Sequence, residues 1–173
     1  MRVDLHIHTE TTLSDSNDFE FDMSTLRHYV QEANLNAIAV TNHNMFSQEN
    51  YADVCSALSI PVFPGIEINV SKPGSFGHVL VIADPSNLQE FVAGSETICN
   101  QCPDKKSHVV WDEVMRAFPS IRKWLVIPHY IKDRRMDEAT IESIRATSGV
   151  DALEVSNAKK WLANSDRPKE PLV

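Results

Sequence analysis

Asp4-Leu5-His6-Ile7-His8 stands inside the first strand-like run, Arg2 to Thr9, and its reading decides the fold. In an extended strand the side-chain period is two, so Asp4, His6 and His8 are expected on one face. Val3, Leu5 and Ile7 then fall on the other. Two imidazoles two residues apart can close on one metal ion while the apolar face packs into the protein. A strand with no chemistry to do rarely buries two histidines and an aspartate together, because each needs a partner away from water. Alone, the pattern also fits a strand whose polar face meets solvent, and the rest of the chain has to separate the two readings.

A length of 173 residues fits one domain with a real core, residues 1–173, and 42% hydrophobic against 23% charged residues is the balance of a soluble globular protein. No apolar run reaches membrane-spanning length and no signal-peptide core follows Met1, so a cytoplasmic location without membrane contact is expected. A net charge of −8 argues against broad nucleic-acid binding through a basic surface. It leaves a phosphorylated substrate open, since two or three divalent cations would add about four to six positive charges at one spot. The odd set Cys55, Cys99 and Cys102 does not make a disulfide framework. Cys99-x-x-Cys102 with His108 is at most half a zinc site; reduced thiols are the simpler reading.

Strand-like runs at 3–8, 37–41, 62–69, 78–83, 124–129 and 152–155 alternate with helical patterns at 24–33, 48–58, 111–118 and 137–147. Ser24 reads as an N-cap and Gly149 as a C-cap signal. Such alternation predicts a parallel sheet or barrel of βα units, with residues 94–107 as a long loop. His8, His43, Glu67 and His129 fall at or just after the C-terminal ends of these strands, where parallel α/β folds build their sites. His78 opens the run from Gly77 to Ile82. Glu67, flanked by Ile66 and Ile68, needs a cation or a proton if it is buried.

The ordered set Asp4-Leu5-His6-Ile7-His8-Thr9, Ser14-Asp15, Thr41-Asn42-His43-Asn44, Pro64-Gly65-Ile66-Glu67 and Ile127-Pro128-His129 closely resembles the polymerase-and-histidinol-phosphatase (PHP) domain. The resemblance implies an α/β fold, a distorted (β/α)7 barrel, that binds two or three divalent metals and hydrolyses phosphoesters. Carried over, it implies metal ligation by His6, His8, Asp15, His43, Glu67, His78 and His129, with Glu67 bridging two ions. Three departures stand out. Asn42 replaces a common Asp, removing a charge that could orient His43. The spacing from His8 to Asp15 is long, which makes Asp15 the least secure ligand. The family's late Asp-x-His is absent, and such barrels usually run longer. An incomplete barrel of about six parallel strands is therefore expected, with Val173 near the gap, or a C-terminal domain or partner chain covering the open edge.

Imidazole and carboxylate ligands without thiolate suit zinc, manganese or iron. Such ions bring the pKa of bound water from 15.7 towards ~7, so hydrolysis of a phosphomonoester or of a nucleic-acid phosphodiester leads, with a phosphorylated small molecule or a nucleic-acid end as substrate. No catalytic side chain is expected beyond the metal-bound water. Lys132, Arg134 and Arg135, directly after His129, are candidates to clamp substrate phosphate, although a solvated loop paired with Asp133 and Asp137 fits equally. The first alternative is a catalytically weakened regulatory or binding module of a larger protein. The second is an amidohydrolase, which also opens on His-x-His but needs a metal-bridging Lys that the central strands lack.

Overall fold

Apolar runs and amphipathic segments alternate along the folded chain, seen here in a computed structural model that describes residues 1–13, 15, 19–72, 75–104, 107–129, 138–147 and 151–152. In chain order the elements are β1 (Val3–Ile7), α1 (Met23–Glu32), β2 (Ala37–Val40), α2 (Gln48–Ala57), β3 (Val62–Lys72), β4 (Ser75–Ile82), α3 (Leu88–Gln101), β5 (Val109–Val110), α4 (Trp111–Ala117), β6 (Leu125–Pro128) and α5 (Glu138–Thr147). Helix α1 is capped by Asp22 rather than Ser24. Its carboxylate accepts from the backbone N–H groups of Ser24 and Thr25 at 3.3 and 2.8 Å and from both hydroxyls. Those hydrogen bonds, the Thr25 hydroxyl's first, hold the Asp22 carboxyl well below the usual carboxylate range.

The sheet order is β1-β2-β3-β4-β6, with β5 paired to β3. It is not all-parallel. β1, β2 and the first part of β3 pair in parallel, but β4 runs antiparallel to both β3 and β6. The alternating βα reading failed here because β3 and β4 are long strands that pair directly, with no crossover helix between them. A second correction concerns the expected loop from residue 94. Residues Leu88–Gln101 form one helix whose buried positions Phe91, Gly94, Ser95 and Ile98 recur at helical spacing. Gly94 is required there by contact, not flexibility: a Cβ would lie 2.4 Å from the buried Phe118 ring.

Alternation along the strands sorts the apolar residues into two faces. Ile38 and Val40 pack with Leu26, Val30 and Val54 under α1 and α2. Ile66, Ile68, Val79, Val81 and Val126 pack with Phe91, Val114 and Ile144 under α3, α4 and α5. The opposite, inner face gathers Ala39, Leu80, Ile82, Ile127 and Ala152, joined by Leu5 and Phe63. Leu5 and Ile127 come from the two ends of the strand order yet share that cluster, so the sheet is curled into an open half-barrel. Of the expected strand at 152–155 only Ala152 is described, and it joins the inner cluster; Val173 lies outside the described residues. No helix among the described residues is long and apolar enough to cross a membrane.

Candidate metal centre

The inner apolar cluster forms a floor, and the polar residues of the same face stand above it. On β3, Phe63 belongs to the floor, and Glu67 follows on the same face further along the strand. On β6, Ile127 precedes His129, and on β1, Leu5 precedes His6 and His8. Strand β4 runs the other way, so its polar residue must come first, and His78 does precede Leu80 and Ile82. Antiparallel β4 thus brings the start of a strand to the rim where the parallel strands end. Glu67 itself is not at a strand end, as its sequence context suggested, but near the middle of the eleven-residue β3.

Five imidazoles meet at Glu67, which is only 1% exposed. Its Oε2 lies 3.1 Å from His6 Nε2, 2.9 Å from His8 Nε2 and 3.1 Å from His43 Nε2. Its Oε1 lies 2.7 Å from His78 Nδ1 and 3.4 Å from His129 Nε2. Asp15 Oδ1 stands 3.3 Å from His8 Nδ1 and 4.0 Å from His43 Nε2. The carboxylate therefore divides five imidazoles into two sets, one on each oxygen. All seven residues that the sequence singled out as ligands are brought together. Lys132, Arg134 and Arg135 lie outside the described residues.

Burial alone would raise the Glu67 carboxyl, but hydrogen bonds from His6, His78 and His8 outweigh it and hold the group far below the usual range. Burial also lowers His43, to about 4, against the opposing pull of Glu67, so this imidazole stays neutral with a free lone pair at ordinary pH. The donor set fits a cation. Three ring nitrogens converge on one carboxylate oxygen, and His6 Nε2 approaches His8 Nε2 to 2.9 Å, a contact that needs a proton or a positive ion between two lone pairs. Ligand atoms of His6, His8 and Glu67, of His8, Asp15 and His43, and of His43, Glu67 and His78 each lie within 4.8 Å of one another. Among the described residues no such grouping includes Cys99, Cys102 or His108, and burial, before the nearby acids, pushes the Cys102 thiol up to about 11.

The loop after β2 supplies a frame whose roles the sequence reading missed. Asn42 is one part of it. Its Oδ1 accepts from the backbone N–H groups of Thr9 and Glu10 at 2.7 and 3.1 Å, tying down the chain just after His8. Asn44 adopts a left-handed conformation with φ 49°, which Asn tolerates better than most residues. Its N–H donates to Glu67 O and its Oδ1 accepts from Asn69 N–H, while Glu67 N–H donates to Asn42 O. The backbone on both sides of Glu67 is thereby gripped. An Asn immediately after a strand-end His was the available signal.

These features define a class: α/β half-barrels with a buried carboxylate ringed by histidines at the rim of the sheet. The profile of the PHP domain matches residues 4–127, and the chain belongs to that family. Its fold is similar to that of a Bifidobacterium adolescentis protein described as a candidate metal-dependent phosphoesterase, at 15% identity over 88% of this chain and 75% of that one, TM-score 0.54. It is also similar to an amidohydrolase from Chromobacterium violaceum solved with sulfate and no metal, at 14% identity over 88% and 76%, TM-score 0.53. PsfC from Pseudomonas syringae aligns at 18% identity over 93% and 69%, TM-score 0.53. Comparison with the curated proteins found no match.

Proposed function

We propose that this chain is a metal-dependent hydrolase of phosphoesters. The observation that carries this reading is the convergence of five imidazoles from four segments on one buried carboxylate, in a chain of the PHP family. His6, His8, His43, His78, His129, Glu67 and Asp15 would hold two or three divalent ions, Glu67 between the two imidazole sets. Zinc, manganese and iron suit the donors. When bound, such ions supply Lewis acidity, bringing a water's pKa towards ~7 and neutralising phosphate charge.

The chain's own residues do the rest. Asp15 Oδ1 lies 3.3 Å from His8 Nδ1, and by accepting a proton there it would leave His8 Nε2 as the ligating nitrogen when a cation is bound. Burial keeps His43 unprotonated. The apolar floor below Glu67 closes the site to water from beneath. Lys132, Arg134 and Arg135 are proposed to meet substrate phosphate. The substrate class is a phosphorylated small molecule or a nucleic-acid end.

The test is hydrolysis of p-nitrophenyl phosphate, its bis-ester and 5′-phosphorylated oligonucleotides by metal-stripped protein, with and without added manganese, zinc or ferrous ion. Hydrolysis of at least one phosphoester that depends on added cation and vanishes with chelator is expected. Turnover indifferent to chelation, or turnover of amide but not phosphoester analogues, would overturn the proposal.

A further inference from the structure

Strand β1 does not keep the period that its sequence suggests. Val3 and Asp4 pair with Ala37 and Ile38, but Ile7 pairs with Val40, so Leu5 and His6 together stand opposite Ala39 alone. Two residues facing one is a β-bulge, and it reverses the faces beyond it. Before the bulge, Asp4 points to the helix side, where the Tyr29 hydroxyl of α1 donates to its Oδ2 at 2.6 Å. After it, Ile7 packs on that helix side, and His6 and His8 reach Glu67 on the inner face. An unbroken strand would have put His6 beside Asp4, against α1 and away from Glu67.

The second Asp4 oxygen shows what holds the bulge. Oδ1 accepts from the His6 backbone N–H at 3.0 Å, within the stretch where the register shifts. One carboxylate thus links the bulged residue to helix α1. The strand is anchored on its other side as well: Arg2 N–H donates to Asn36 Oδ1 at 2.8 Å and Asn36 N–H to Arg2 O at 2.7 Å. Hydrogen bonding to Asp4 pushes the Tyr29 phenol up to about 12, so it remains a donor across the working pH range.

We propose that Asp4 is a positioning residue for the metal centre: held by the Tyr29 hydroxyl, it fixes the β1 bulge that turns His6 onto Glu67. The proposal rests on the reading of the histidine cluster as a metal site. Asp4 needs to touch no metal to act, because it sets the backbone from which His6 projects. Groups that orient a ligand in this way typically alter metal affinity 10- to 100-fold.

Cobalt(II) titrated into the metal-stripped full chain reports affinity and, through its visible absorption, the ligand set. Asp4→Ala should weaken the tightest cobalt site about 10- to 100-fold and change the absorption as His6→Ala does. Tyr29→Phe, which removes one hydrogen bond, should weaken it about fivefold. Asp4→Asn keeps an oxygen for the His6 N–H and should bind close to the unmodified chain. Asp4→Ala combined with His6→Ala should bind no more weakly than His6→Ala alone, since both act through one ligand. Unchanged cobalt binding by Asp4→Ala beside weakened binding by His6→Ala would overturn the positioning role, as would losses that add in the double variant. If Asp4→Ala does not fold, Tyr29→Phe against Asp4→Asn decides, and equal affinities for the two would overturn it. An unmodified chain that binds no cobalt would instead overturn the metal reading itself.

Discussion

Glu67 is the residue on which the molecule's chemistry turns, because a buried carboxylate among five imidazoles is stable only through the charge and hydrogen bonds they share. Replacing one oxygen by an amide group keeps the shape and removes the negative charge that both imidazole sets face. Glu67→Gln is therefore expected to weaken manganese or zinc binding by about 100-fold or more and to abolish cation-dependent phosphoester hydrolysis. Isothermal titration with the metal-stripped protein checks the first and the phosphatase assay the second. Retained stoichiometry and affinity would show that Glu67 is a structural carboxylate only. At this scale the ligand types were legible from sequence, since His-x-His and a Glu between isoleucines have few other uses. The work of Asn42 and Asn44 was not, because it consists of hydrogen bonds to backbone far along the chain.

Among the elements, α3 and α1 offer the clearest tests. Gly94 faces the Phe118 ring and the Ala117 carbonyl, so a methyl group there would collide with a buried ring and with backbone. Ala gains about 1 kcal/mol in helix propensity over Gly, yet overpacking costs about 1–3 kcal/mol. Gly94→Ala is expected to lower stability in urea denaturation, and a gain would show that Phe118 moves aside freely. At the start of α1, the folded state lowers the Asp22 pKa. A depressed carboxyl contributes stability fully above its unfolded value of about 3.9 and loses it as pH falls below that towards the folded value. The difference in thermal midpoint between the unmodified protein and Asp22→Ala should thus be largest near pH 7 and shrink by pH 3. A gap independent of pH would mean that the cap acts without its charge. The second half of helix α3 was misread as loop because Glu96, Thr97, Asn100 and Gln101 face outward, and only its contact with Phe118 explains the glycine.

In the whole molecule, the candidate ligands come from β1, the end of β2, β3, β4 and the end of β6, so a cation held there ties the half-barrel together across its strand order. Anything that binds the folded chain and not the unfolded one stabilises it, by about 2.7 kcal/mol at a hundredfold excess over Kd. Added manganese or zinc should raise the thermal midpoint, and EDTA should return it. A midpoint blind to metal and chelator would separate the cluster from cation binding.

Sequence by itself determined the class of fold, the family, and the kinds of side chain available for chemistry. Hydrophobic periodicity and the ordered His and Glu motifs are local quantities that each segment carries with it. Tertiary structure decided the rest. It made β4 antiparallel, which is why a histidine at the start of a strand can join others at strand ends. It placed the bulge in β1, which separates Asp4 from His6 although simple alternation puts them together. A register is a relation between two chain segments, and neither segment alone contains it.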